Sequence, residues 1–227
     1  MRTLLLVLAI ANLGQAPAVK GGTVTGTVAA ARGRDPVNNV EHLWVYLEGE
    51  GKPPTSKLGK DVVERIAQKN LTFSPRVLLI PRGATVFFPN RDSVEHNVFS
   101  PEMKSWIGFN LGRYNTDKVG KPKTFREYGE FDIFCDVHPE MSAAVKVVPS
   151  RYYTKVVDGT YTFTDVPPGV YRVVAWSPDS TETRSSQFAV EAGPTKPVQV
   201  QSMPFQHTPW DTTHNRSDGS AYKKLYP

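Results

Sequence analysis

One cysteine, Cys135, occurs in 227 residues, alongside five histidines. A single thiol closes no internal disulfide and cannot supply the several cysteines that many structural zinc sites use. It is left to pair with another chain, to stay a reactive thiol, or to bind a metal. No apolar run approaches the ~20 residues needed to span a bilayer as a helix. Helical periodicity is scarce too, and the readable segments alternate as strands do. No serine stands in a nucleophile-elbow pattern, and no carboxylates form a recognisable acid and base pair. Lysine and arginine are scattered rather than striped among aromatics, which argues against nucleic acid as a partner.

What is present begins at the N-terminus. Arg2 precedes the apolar run Leu4-Leu5-Leu6-Val7-Leu8-Ala9-Ile10-Ala11, and Ala16-Pro17-Ala18 supplies a small-x-small cleavage pattern. This is the layout of a secretory signal peptide over residues 1–18, with cleavage near Ala18 and a mature chain starting near Val19. The expected location is the periplasm or the exterior, with no membrane span. In an exported chain a metal is the consistent fate of a lone thiol, because the metal deprotonates and occupies it. A formal charge of +5 and a sequence pI near 9.2 favour an acidic docking partner or an anionic surface.

Cys135 stands in Cys135-Asp136-Val137-His138-Pro139-Glu140-Met141, and His96 lies upstream in Asn90-Arg91-Asp92-Ser93-Val94-Glu95-His96-Asn97-Val98-Phe99. One thiolate, two imidazoles and one thioether are the ligands with which a trigonal site with a long axial methionine holds copper for electron transfer. The soft sulfur donates charge, the imidazoles suit either oxidation state, and the weak thioether leaves the geometry between the preferences of Cu(I) and Cu(II). Little then moves when an electron arrives. Zinc also accepts a Cys-x2-His pair, but usually with further cysteine or histidine ligands, and the affinity order among divalent metals favours copper.

These residues resemble the cupredoxins, the small blue-copper β-sandwiches, and within them the amicyanin-like group with its Cys-x2-His-x2-Met ending. The resemblance covers residues 61 to 148 and includes the approach Gly83-Ala84-Thr85-Val86-Phe87-Phe88-Pro89-Asn90. It implies an all-β Greek-key sandwich holding one type 1 copper ion through His96, Cys135, His138 and Met141. Asn97 would tie the two ligand loops together by hydrogen bonding. Phe131 and Phe134 would belong to the apolar shell that limits solvent access and helps to set the potential. Electrons would pass through the edge of His138, beside Pro139, to or from a redox partner protein. Once His96 and His138 are assigned, only His42, His207 and His214 remain, too few for the additional copper centres of an oxidase or a nitrite reductase. The chain is therefore expected to be an electron carrier and not an enzyme. The alternative is a copper-binding, storage or interaction module of a larger periplasmic complex.

A second unit is legible around the first. Tyr161 and Phe163 alternate with polar neighbours, Pro167-Pro168-Gly169 breaks the run, and Tyr171, Val173 and Ala175 alternate again. This resembles a small prealbumin-like, carboxypeptidase-regulatory type of β-sandwich. Gly22-Thr23-Val24-Thr25-Gly26-Thr27-Val28 and Leu43-Trp44-Val45-Tyr46-Leu47-Glu48-Gly49 look like its first strands. The expected organisation places the second sandwich at residues 19–55 and 151–203, with the copper domain, 56–150, inserted between them. The alternative makes residues 20–50 edge strands of the copper domain, and the partners of Val45 and Tyr46 discriminate the two. The segment Asp61-Val62-Val63-Glu64-Arg65-Ile66-Ala67 leans toward strand, while Lys52-Pro53-Pro54-Thr55-Ser56 and the polar stretch from Arg113 to Pro122 read as connectors. Trp44, Trp106 and Trp176 are expected in sandwich cores. Residues 204–227, polar and without alternation, read as an extended tail on the surface or partly disordered.

Overall fold

The computed structural model describes residues 21–32, 35–36, 40, 42–49, 58–102, 108–180, 182–191, 198–204 and 214–220. The expected signal peptide, Trp106, His207 and the connector at residues 52–56 lie outside the described residues. Among the described residues every regular element is a strand. The first three are β1 (Gly22–Arg32), β2 (Asp35–Pro36) and β3 (Trp44–Gly49). There follow β4 (Val63–Arg65), β5 (Ala67–Gln68), β6 (Phe73–Ser74), β7 (Val77–Pro81) and β8 (Thr85–Asn90). Next come β9 (His96–Ser100), β10 (Phe109–Tyr114), β11 (Asp117–Thr124), β12 (Gly129–Phe134) and β13 (Ser142–Val148). The last are β14 (Tyr153–Lys155), β15 (Thr160–Val166), β16 (Gly169–Trp176), β17 (Arg184–Val190) and β18 (Val198–Pro204).

They form four sheets. Strands from the two ends of the chain make one pair of sheets, ordered β15-β1-β18 with β2 on β1, and β14-β3-β16-β17. The middle of the chain makes the other pair, ordered β10-β9-β12-β13-β7, and β11-β8-β5-β6 with β4 on β8. Val45 pairs with Thr154 and Ala175, and Tyr46 with Tyr153 and Val174, so β3 lies among strands from after residue 150.

Side-chain alternation shows how the sheets stack. In β16, Val173 and Ala175 enter one apolar core with Val45, Leu47, Tyr161 and Phe163. Val174 and Trp176, on the opposite face, join Tyr46, Val77, Leu79 and Val148 in another. In β7, Val77 and Leu79 face that shared layer, whereas Leu78 and Ile80 enter the core that holds Cys135 and Met141. Successive side chains on a strand point to opposite faces. The sheets containing β16 and β7 therefore pack against each other and bury both faces, which is why Val77-Leu78-Leu79-Ile80 is continuously apolar. Trp176 sits in this layer between the two pairs of sheets rather than inside either sandwich, with Trp44 half-buried against it. Its Nε1 donates to Glu130 Oε1 at 2.8 Å, and Lys146 Nζ bonds the same oxygen at 2.7 Å.

The stretch from Arg113 to Pro122 is not a connector: it ends β10 and supplies most of β11. Both are edge strands with much of their surface in water, so they keep polar side chains and show no apolar alternation. Gly120, at a φ of 84°, forms the irregularity where β11 slips against β8. A side chain there would collide with the backbone of Phe88 and Pro89. The segment at residues 61–67 is strand in β4 and β5, both parallel to β8.

Leu79 is completely buried between the two pairs of sheets. Leu79→Ala is expected to lower unfolding free energy by about 3 kcal/mol. Urea titration of the purified protein measures this, and a loss below about 1 kcal/mol would contradict the stacking described.

Candidate metal centre

Three adjacent strands assemble the site. β12 ends at Phe134 and β13 begins at Ser142, and these two residues are paired, so residues 135–141 form a closed loop at one end of the sheet. Phe134 also pairs with Phe99 of β9, which brings the start of that strand, His96, beside the loop. The loop contains its own turn, with Met141 N–H donating to the His138 carbonyl at 3.1 Å.

His96, Cys135 and His138 converge. Cys135 Sγ lies 3.9 Å from His96 Nδ1 and 3.8 Å from His138 Nδ1, and the two ring nitrogens are 3.0 Å apart. Bonds of about 2.0 Å to nitrogen and about 2.3 Å to sulfur, meeting at about 120°, separate N from S by about 3.7 Å. The observed spacing fits three donors aimed at one ion. Among the described residues this is the one cluster of histidine, cysteine or acidic side chains with such geometry. His96, Cys135 and Met141 are fully buried, and His138 is half-buried. Met141 lies with Cys135 in the core of the inner pair of sheets, the pair built from the middle of the chain, together with Phe131. His42 and His214 stand outside the cluster.

Asn97, 1% exposed, connects the two halves of the site. Its Oδ1 accepts from the Asp136 N–H at 2.9 Å, and its Nδ2 donates to Asn110 Oδ1 at 2.7 Å. Asp92, which the sequence reading did not single out, completes the arrangement. Its Oδ2 lies 2.9 Å from His96 Nε2, the nitrogen facing away from the sulfur. Metal-ligating histidines usually bond their second nitrogen to a carboxylate or carbonyl, which fixes the tautomer and ring orientation. An acidic residue four positions before His96 was the available signal. Asp92 is itself held by the N–H groups of Asn70 at 2.7 Å and Leu71 at 3.0 Å. Both residues adopt left-handed conformations, with φ of 55° and 56°, and consecutive amides so turned form a concave anion cradle.

The electrostatics follow from these contacts. Burial pushes the Cys135 thiol up, but the His96 ring and the N–H groups of Asn97, Val137 and His138 outweigh it, so its pKa lies below the ordinary value. Burial lowers His96, yet Cys135 and Asp92 prevail and raise it. His138 is lowered, by burial first and then by the neighbouring His96. For Asp92 burial acts upward, and the Leu71 amide, His96 and the Asn70 amide bring it down. The pocket thus favours thiolate and carboxylate around two imidazoles.

No protein-family model matches the sequence, and comparison with curated proteins gives no match. Among solved structures, the chain is similar to a copper-containing nitrite reductase from Thermus scotoductus SA-01, at 24% identity and a TM-score of 0.34, over 38% of this chain and 22% of that one. It is similar to a purple cupredoxin from Nitrosopumilus maritimus, at 30% identity and a TM-score of 0.32, over 37% of this chain and 99% of that one. It is also similar to a single-residue variant of amicyanin in the Cu(I) form, at 19% identity and a TM-score of 0.35, over 45% of this chain and 99% of that one.

Asp92→Asn keeps the shape but removes the charge behind His96, and is expected to weaken metal binding by about 10- to 100-fold in chelator competition. In the unsubstituted protein, protons compete with metal. Because His96 is raised, its ring takes up a proton at a higher pH than an ordinary imidazole, so affinity falls as pH drops through that range. An affinity indifferent to pH and to Asp92→Asn would remove the role given to this pair.

Proposed function

We propose that the chain is an exported cupredoxin-type copper protein that carries single electrons between redox partners, without an enzymatic site of its own. The observation that carries this reading is the convergence of Cys135 Sγ with the Nδ1 atoms of His96 and His138 at 3.8, 3.9 and 3.0 Å inside an apolar core. His96, Cys135 and His138 would hold one type 1 copper ion, with Met141 as the weak axial donor and Asn97 tying the loops. Copper, when bound, supplies the one-electron couple between Cu(I) and Cu(II).

The residues of the chain do the rest. β9 carries His96, and the loop closed by β12 and β13 carries Cys135 and His138, so the donors keep a fixed spacing and the site reorganises little between oxidation states. The N–H groups directed at Cys135 moderate its electron donation, and hydrogen bonding around the cysteine sulfur is one of the means by which such sites set their potential. Phe131 and the surrounding core exclude water, which also tunes potential. His138, half-buried where its companions are fully buried, is the route for the electron. A net charge of +5 supports an acidic partner. We further read the sheets of β15-β1-β18 and β14-β3-β16-β17 as a prealbumin-like sandwich into which the copper domain is inserted. The pairing of β1 with β15 and β18, and of β3 with β14 and β16, supports this reading.

The test is spectroscopic. Copper-loaded protein is expected to absorb strongly in the visible through thiolate-to-copper charge transfer, to give the paramagnetic resonance signal of a type 1 site, and to lose both in Cys135→Ser. A Met141→Ala variant is expected to keep the colour and shift the reduction potential. A copper-loaded protein without the intense band would overturn the proposal.

A further inference from the structure

Asp136, the residue after Cys135, is gripped from three directions. Its N–H donates to Asn97 Oδ1. Its carbonyl accepts from Arg216 Nε at 3.0 Å. Its carboxylate accepts the Ser217 N–H at 2.7 Å and the Ser217 hydroxyl at 3.0 Å. The residue before Cys135 is gripped as well: the His214 ring stacks flat on Phe134, with centroids 3.9 Å apart and planes 13° from parallel. Residues 214–217 therefore contact both chain neighbours of the cysteine, from some eighty positions further along the sequence. The segment is closed by its own turn, with Gly219 N–H on the Arg216 carbonyl at 2.9 Å and Arg216 N–H on the Ser220 carbonyl at 2.8 Å.

The contact with Arg216 reaches the sulfur through a single peptide. The Asp136 carbonyl and the Val137 N–H belong to one planar trans unit, in which the two groups point in opposite directions. The Val137 N–H is one of the donors to Cys135 Sγ. A guanidinium on the oxygen end fixes the plane, and so fixes the direction of the N–H at the sulfur. It also polarises that N–H, since linked hydrogen bonds strengthen one another.

We propose that residues 214–217 are a positioning strap for the metal centre, in which Arg216 and Ser217 set the hydrogen bonding of the Cys135 sulfur through Asp136 and thereby its reduction potential. This rests on the copper reading above. Asp136 and Arg216 act through Cys135 and are not themselves ligands. A weaker N–H···S bond leaves the thiolate a stronger donor, which stabilises the oxidised ion and lowers the potential. The strap contacts Phe134 and Asp136 and leaves Pro139 and Glu140 exposed, so it steadies the loop without covering the His138 side.

Amide hydrogen exchange on the metal-free protein and voltammetry on the copper-loaded protein test the strap separately. In the unsubstituted chain the Ser217 amide is expected to be protected, and Asp136→Ala to abolish that protection. Arg216→Ala is expected to speed exchange of the Val137 amide roughly tenfold and to move the potential downward, with the thiolate-to-copper band shifted but present. Circular dichroism checks that each variant folds; Arg216→Ala alters only a surface turn and carries the test if Asp136→Ala fails to fold. An unprotected Ser217 amide in the unsubstituted protein, or a potential unmoved by Arg216→Ala, overturns the proposal. Copper that binds without the thiolate band sinks the parent reading instead, while the exchange data still judge the strap.

Discussion

A thiol and an imidazole buried in an apolar core, with a second, half-buried imidazole within 4 Å of both, are costly unless their buried polar atoms are satisfied by something other than water. The structure meets that constraint at the buried thiol and the buried imidazole. Cys135 receives N–H groups from Asn97, Val137 and His138, His96 turns its outer nitrogen to Asp92, and Asp92 is cradled by the Asn70 and Leu71 amides. These supports come from β9, from the loop after β12, and from the turn between β5 and β6, so the site exists only when both inner sheets are in place. Cys135 and His96 are thus held in advance of any ion. That is the property a site needs if it is to bind metal with little rearrangement and exchange an electron with little more.

The same sheet serves the rest of the molecule. β7 and β13 put one set of side chains around Cys135 and Met141 and the opposite set against Tyr46, Val174 and Trp176. The inner sheets and the outer pair therefore share a dry layer, joined at its edge by Glu130, which bonds both Lys146 and Trp176. The outer pair is packed on the back of the metal-bearing sheet through this layer. The C-terminal strap reaches the loop after β12, so residues from before β4 and after β13 buttress the inner sheets.

Much of this was legible in the chain. The spacing of Cys135, His138 and Met141, with His96 upstream, named a ligand set whose first two members and distant histidine the fold brings together. Alternation in residues 160–176 gave two strands, and the apolar character of residues 77–80 is explained by burial on both faces. Other features were hidden for physical reasons. The edge strands β10 and β11 carry the polar residues that solvent exposure demands, and so resembled a connector. Asp92 is one carboxylate among 22 acidic residues, marked in the sequence only by its place four positions before His96. Trp176 has the composition of a core residue but lies in a layer that exists only once two pairs of sheets meet.

By itself the sequence determined the local chemistry: which atoms can bind a soft metal, which segments extend, and where turns interrupt them. These properties reside in neighbouring residues and in their period along the chain. Tertiary structure alone decided which backbone amides cradle Asp92, which faces become double-sided, and that a polar terminal segment grips the residue next to the thiol. Those outcomes depend on pairings between residues tens of positions apart, and a hydrogen bond such as Ser217 to Asp136 leaves no trace in the residues flanking either partner.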